Sequence, residues 1–134
     1  MIRVVLDSNI YVSAVLFGGK PRLVLQLAQE GAFELVVSPP ICSEVEETLR
    51  VKFLWPESVI ASVGQSLWRA AREVVPRRRV TDCSDPDDNR VLECALECQA
   101  RAIVTGDRHL LVLNPYRGVQ VVRPQEFLNG RLWR

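Results

Sequence analysis

Asp7 follows the apolar run Ile2–Leu6, broken only by Arg3, and precedes Ser8 and Asn9. Glu44 comes after Leu35-Val36-Val37 and the break Ser38-Pro39-Pro40. Asp87 and Asp88 open a helical stretch behind Asp85-Pro86, and Asp107 closes the strand-like Ala102-Ile103-Val104-Thr105-Gly106. In an α/β sheet a buried strand delivers the next residue to the carboxyl edge, where such folds place their ligand sites. Carboxylates gathered there would repel one another unless cations held them. Carboxylate oxygens are hard donors that suit Mg²⁺ or Mn²⁺, ions that keep several of their own waters. Such ions acidify a bound water and steady the departing oxygen of an in-line displacement.

Each acid alone has a plainer use. Asp85 is a helix cap, and Asp87 suits a first helical turn, where the dipole favours negative charge. Glu44 by itself is a surface helix residue, and Asp107 caps a short helix. The shared pocket is favoured because Asp7 and Asp107 both fall at carboxyl ends of strands.

The elements that must position these acids alternate along the chain. Residues 2–7 predict a strand, Asn9–Phe17 a helix stopped by Gly18-Gly19, and Pro21 the start of a helix ending at Gly31. Residues 33–37 predict a second strand, and Ser38 a cap for a helix running to about Lys52. A helix opens at Pro56, with Val59, Ile60, Val63, Leu67, Ala70 and Ala71 at helical spacing. A short third strand falls within residues 73–80, before the arginine run. The helix capped by Asp85 carries Val91, Leu92, Ala95 and Leu96 inward. A strand at 102–105, a helix from Arg108 to Leu113, a strand around Val119–Val122 and a last turn at Pro124–Leu128 complete the chain. This alternation predicts a single domain over residues 1–134: a three-layer α/β/α fold with a mainly parallel sheet of four to five strands. Trp55 and Trp68 are read as packing residues.

No apolar run approaches the roughly 20 residues a membrane span needs, and the start lacks signal-peptide character. The expected address is the cytoplasm. The net charge of +1 conceals a segregation: with four acids in one pocket, 17 basic residues face 12 acidic ones elsewhere. All but Lys20 and Lys52 of those bases are arginine, which grips phosphates bidentately. Arg77-Arg78-Arg79 is the densest basic run. An acidic centre on a mildly basic body suits a metal-dependent nuclease. Cys42, Cys83, Cys94 and Cys98 form no C-x-x-C pair, and His109 has no partner at ligand spacing, so reduced, partly buried thiols are expected rather than zinc.

Four segments together resemble the PIN domain family, and most closely its bacterial VapC-like toxins of toxin–antitoxin pairs. They are V-V-L-D-S-N at 4–9, V-V-S-P-P-I-C-S-E at 36–44, D-P-D-D-N-R-V-L-E-C-A at 85–95 and I-V-T-G-D at 103–107. The resemblance implies that Asp7, Glu44, Asp88 and Asp107 form a catalytic acidic site holding Mg²⁺ or Mn²⁺. Asp88 is preferred over Asp87 because it keeps the family's spacing to Ala95. Asn9, Asp87 and Thr105 then support the ligands from behind. Arg108 follows Asp107 where other PIN toxins often carry a bulky residue; with Arg77, Arg78 and Arg79 it is read as a substrate contact.

The resemblance further implies a metal-dependent endoribonuclease, an RNA substrate, a cognate antitoxin partner and self-association, for which the outer helix at 57–71 is a candidate homodimer face. Two rivals come from other classes. A non-catalytic PIN-fold binding or scaffold module would be expected to have lost some of the acids. A small acidic-pocket phosphotransfer domain would want a lysine at a strand end, and neither Lys20 nor Lys52 is at one.

Overall fold

The computed structural model covers residues 1–134. Five strands, β1 (Arg3–Leu6), β2 (Glu34–Val37), β3 (Ala71–Glu73), β4 (Ala102–Val104) and β5 (Gln120–Val122), form one sheet in the order β3-β2-β1-β4-β5. Every pairing is parallel. Parallel neighbours need crossover connections, and helices supply them. These are α1 (Ser8–Leu16), α2 (Gly19–Gln29), α3 (Pro39–Val51), α4 (Glu57–Arg69), α5 (Pro86–Cys98), α6 (Arg108–Leu111) and α7 (Pro124–Asn129). The three-layer α/β/α architecture is the one the sequence pattern predicts.

β1, β2 and β4 are near-continuous buried apolar runs, as expected of strands covered on both faces. Their side chains join one core of 35 buried residues, across which α5 packs on β1, β2 and β4. The ring of Tyr11 meets Trp68 edge-on at 4.9 Å, and Phe33 meets Phe127 likewise at 5.3 Å. Trp68 is therefore a packing residue, and its Nε1 donates to Glu46. The four cysteines are free; burial pushes the Cys94 thiol up to about 12 and the Cys98 thiol up to about 11. No helix is long and apolar enough to cross a membrane.

Three local expectations need correction. α4 stops at Arg69, so Ala71 is not its last inward residue but the first of β3. The third strand consequently lies at 71–73; Val74 still donates its amide to Val37 of β2, and the arginine run is tied to α5 through the amides of Arg77 and Val80. Ser38 occupies the N-cap position of α3, yet its hydroxyl makes no capping bond and is buried without a partner.

Candidate active site

The strand order reverses direction at β1: β2 and β3 build outward on one side, β4 and β5 on the other. The carboxyl ends of β1 and β4 flank that switch point, where open α/β sheets leave a crevice. Asp7 sits one residue past β1, at the N-cap of α1, and its amide donates to the Val104 carbonyl at 3.0 Å. Thr105, one residue past β4, is fully buried. Its Oγ1 donates to Asp7 Oδ2 at 2.9 Å and accepts the Asp107 amide at 3.0 Å. One hydroxyl thus sets two acids relative to each other. Asp107 in turn caps α6, accepting the His109 amide at 2.8 Å, with the His109 ring 3.1 Å away.

Asp88 reaches the same edge from the first turn of α5 and is buried. Asp85 performs the cap predicted for it, accepting the Asp87 amide at 2.9 Å. Asn89 holds the approach to that turn: its side chain accepts the Cys83 amide and donates to the Cys83 carbonyl, both at 2.8 Å. Glu44 comes from α3, half-buried. Ser8 Oγ lies 3.4 Å from Asp7 Oδ1, and a bond from this hydroxyl also favours the charged form of Glu44.

The electrostatics show which acids share a space. Burial raises Asp7 above the usual carboxylate range, the hydroxyl of Thr105 pulls it back, and Asp107 raises it again. Burial, then the charges of Asp107 and Asp7, push Asp88 up to about 7. Burial, then Asp87, push Glu44 up to about 7; Asp7 and Asp85 add to this while Ser8 opposes it. Asp7, Asp88 and Asp107 are therefore one group. Asp87, placed behind the site by the sequence pattern, is the foremost charged neighbour of Glu44.

No lysine or arginine pairs with Asp7, Glu44, Asp87, Asp88 or Asp107. Nor do three acidic, histidine or cysteine side chains converge closely enough to ligate one ion unaided. The donor set nonetheless suits a hydrated cation, since Mg²⁺ is commonly held by one or two carboxylates and keeps waters between itself and the rest. Repelling, unpaired, hard oxygen donors are what such an ion would neutralise.

These shifts carry a sign. Carboxyls that titrate near 7 in the folded chain and at about 4 in the unfolded one bind more protons when folded across that window. Their contribution to stability is full below about pH 4 and is lost as pH rises through 7. The thermal midpoint of the protein in EDTA should fall between pH 5 and pH 8, and Mg²⁺ should lessen the fall. A midpoint that rose over that range would contradict the arrangement.

The arginine run lies elsewhere. The Arg77 amide donates to Glu97 at 3.0 Å and its guanidinium sits 3.5 Å from the same carboxylate. Arg79 lies 3.9 Å from Glu93, which is buried, accepts the Val80 amide and pairs with Arg90 at 2.8 Å. Glu97 is about 13 Å along α5 from Asp88, at 1.5 Å rise per residue. Of the arginines read as substrate contacts, Arg108 is the one set at the acidic edge, exposed beside Asp107. A groove of about 920 Å³ opens next to Glu44 and Asp87, with Asn9, Ser43, Thr48 and Lys52 along it.

The family model of the PIN domain matches residues 3–109, a span that contains all four acids. The chain belongs to the PIN domain family. This PIN domain is 30% identical over 141 residues to an uncharacterized protein of Methanocaldococcus jannaschii, covering 95% of this chain and 90% of that one. Its fold is also that of one chain in the structure of VapBC2 from Rickettsia felis bound to a DNA fragment from their promoter. That match has a TM-score of 0.64 at 13% identity and covers 90% of this chain and 97% of the other.

Two residues that shape the site escape a reading of the sequence. Ser8 looks like an ordinary first residue of a helix, yet it is buried between Asp7 and Glu44. Asn89 looks like helix surface, yet it is buried and pins the loop before α5. A polar residue directly after Asp7 and after Asp88 is the available signal.

Proposed function

We propose that this PIN domain is a metal-dependent endoribonuclease and the toxin of a toxin–antitoxin pair. The observation that carries the reading is the group of buried or half-buried carboxylates at the switch point, held in place by Thr105 and Ser8 and left without a lysine or arginine partner. Asp7, Asp88 and Asp107 would hold Mg²⁺ or Mn²⁺, with Glu44 completing the site from α3. When bound, the ion supplies an acidified water and charge stabilisation for the departing oxygen. The chain's own part is positional. Thr105 fixes Asp7 against Asp107, Asp85 and Asn89 fix the turn that carries Asp88, and Asn9, Asp87 and Arg108 border the opening. RNA as substrate, a protein antitoxin as partner, a cytoplasmic address and pairing with a second copy through α4 follow from the resemblance to VapC-like toxins.

No serine, cysteine or histidine arrangement offers a covalent route, because His109 stands alone beside Asp107. Water is then the nucleophile: it adds to phosphorus, the bond to the departing sugar oxygen breaks, and that oxygen takes a proton. Attack by the neighbouring ribose hydroxyl would instead leave a cyclic phosphate. End-group analysis of RNA cleaved with Mg²⁺ or Mn²⁺ should show linear monophosphate ends only; cyclic phosphate ends would overturn this chemistry. A second reading is a PIN-fold module that binds without cutting, for which three side chains able to ligate one ion unaided are not needed. RNA bound but intact in the presence of either ion would select it.

A further inference from the structure

Glu44 and Asp87 stand at one end of a groove whose floor is a single face of α3. Ser43, Glu44, Glu47, Thr48, Val51 and Lys52 recur there at the spacing that puts residues on one side of a helix. Asn9 from α1 and Asp87 from α5 close the acidic end. Lys52, the C-cap of α3, marks the other, about 12 Å from Glu44 at 1.5 Å per residue.

The charges along this floor are not equivalent. Glu47 is already committed, since Arg50 Nη1 donates to it at 2.9 Å. Lys52 has no acidic partner. The hydroxyl of Thr48 lies between Glu44 and the free ammonium, and the Ser43 hydroxyl and the Asn9 amide stand at the acidic end. Val51 is the apolar exception in a lining otherwise of polar or charged residues and Pro40. A peptide helix would want apolar anchors, which this floor lacks. A phosphodiester strand wants a cation and donors for its sugars and bases, and this groove offers one free ammonium with the hydroxyls of Ser43 and Thr48 and the amide of Asn9.

We propose that the α3 groove is the track for the single-stranded RNA flanking the cleaved bond, and that Lys52 grips one of its phosphates. The inference rests on the nuclease reading and adds the direction in which the strand leaves the acids. The 12 Å from Glu44 to Lys52 spans roughly two to four nucleotides, at about 3.4 Å each when stacked and more when extended. Lysine acts on phosphate as a point charge, so one contact is expected. The arginine run is the weaker candidate for this task, because Arg77 and Arg79 already face Glu97 and Glu93.

The test compares a dinucleotide with a single-stranded RNA of about 12 nucleotides, a length within ordinary single-strand site sizes. Lys52→Gln should raise KM for the longer RNA roughly three- to tenfold with kcat nearly unchanged, and leave the dinucleotide unaffected. Lys52→Arg should restore most of the loss, and Lys20→Gln, on α2, should cause none. In an Asp7→Asn background, where RNA is bound and not cut, Lys52→Gln should weaken binding and make its salt dependence shallower by about 0.7. An unchanged KM and binding curve, or an equal effect on the dinucleotide, would overturn the track. If the wild-type protein cuts no RNA, the nuclease reading fails and the binding measurement decides alone. A lost increment of affinity and slope would then keep the groove as an RNA site, and its absence would remove it.

Discussion

Asp7→Asn should leave the fold intact and reduce RNA cleavage by about a hundred- to a thousandfold, the scale at which loss of a preorganised charge-stabilising group is felt. Its amide oxygen can still accept the Thr105 hydroxyl that now bonds Asp7 Oδ2 at 2.9 Å, so the local shape has a reason to persist. The charge disappears, and with it part of the repulsion from Asp107 and the burden of burial that raises Asp7. The metal-free variant should therefore melt at or above the wild-type temperature. Cleavage at wild-type rates in a homogeneous preparation would sink the assignment of Asp7. A lowered melting temperature would instead show that the carboxylate is structural.

Asp88→Asn should be nearly as damaging, and Asp87→Asn much milder. The two neighbours differ in what surrounds them. Asp88 is buried and shares its space with Asp107 and Asp7, whereas Asp87 is exposed and faces Glu44. Asp85→Ala should mainly cost stability, about 1 kcal/mol for a lost cap, because its carboxylate is spent on the Asp87 amide. Comparing cleavage rates and thermal midpoints of the three variants separates ligand, neighbour and cap. If Asp87→Asn proved the inactive one, the register of the α5 ligand would be wrong by one residue.

Much of this arrangement can be seen in the chain before it folds, for identifiable reasons. β1 and β4 are apolar runs that end on a polar residue, so the placement of Asp7 and Asp107 follows from strand ends alone. Asp85-Pro86 announces a helix start through cap chemistry, and the structure uses it so. β3 is hidden in the sequence because Ala70 and Ala71 continue the helical repeat of α4. Ala71-Arg72-Glu73 has little strand character of its own and becomes a strand through pairing with β2. The arginine run was legible as charge and illegible as geometry. Glu93 and Glu97 look like the outer face of α5, and only the packing of the preceding loop turns them into partners for Arg79 and Arg77. Lys52 is the converse case, since a lone lysine at a helix end carries no signal for RNA until the groove it borders is visible.

The proposed site would hold a divalent cation through Asp7, just past β1, and Asp88, in the first turn of α5. The most direct measurement is a Mn²⁺ titration of the EDTA-stripped protein, followed calorimetrically at pH 8, where Glu44 and Asp88 are deprotonated. The wild-type protein should bind saturably, and Asp7→Asn and Asp88→Asn should each weaken binding by at least about tenfold. Equal binding by wild type and both variants, or no binding by the wild type, would contradict it.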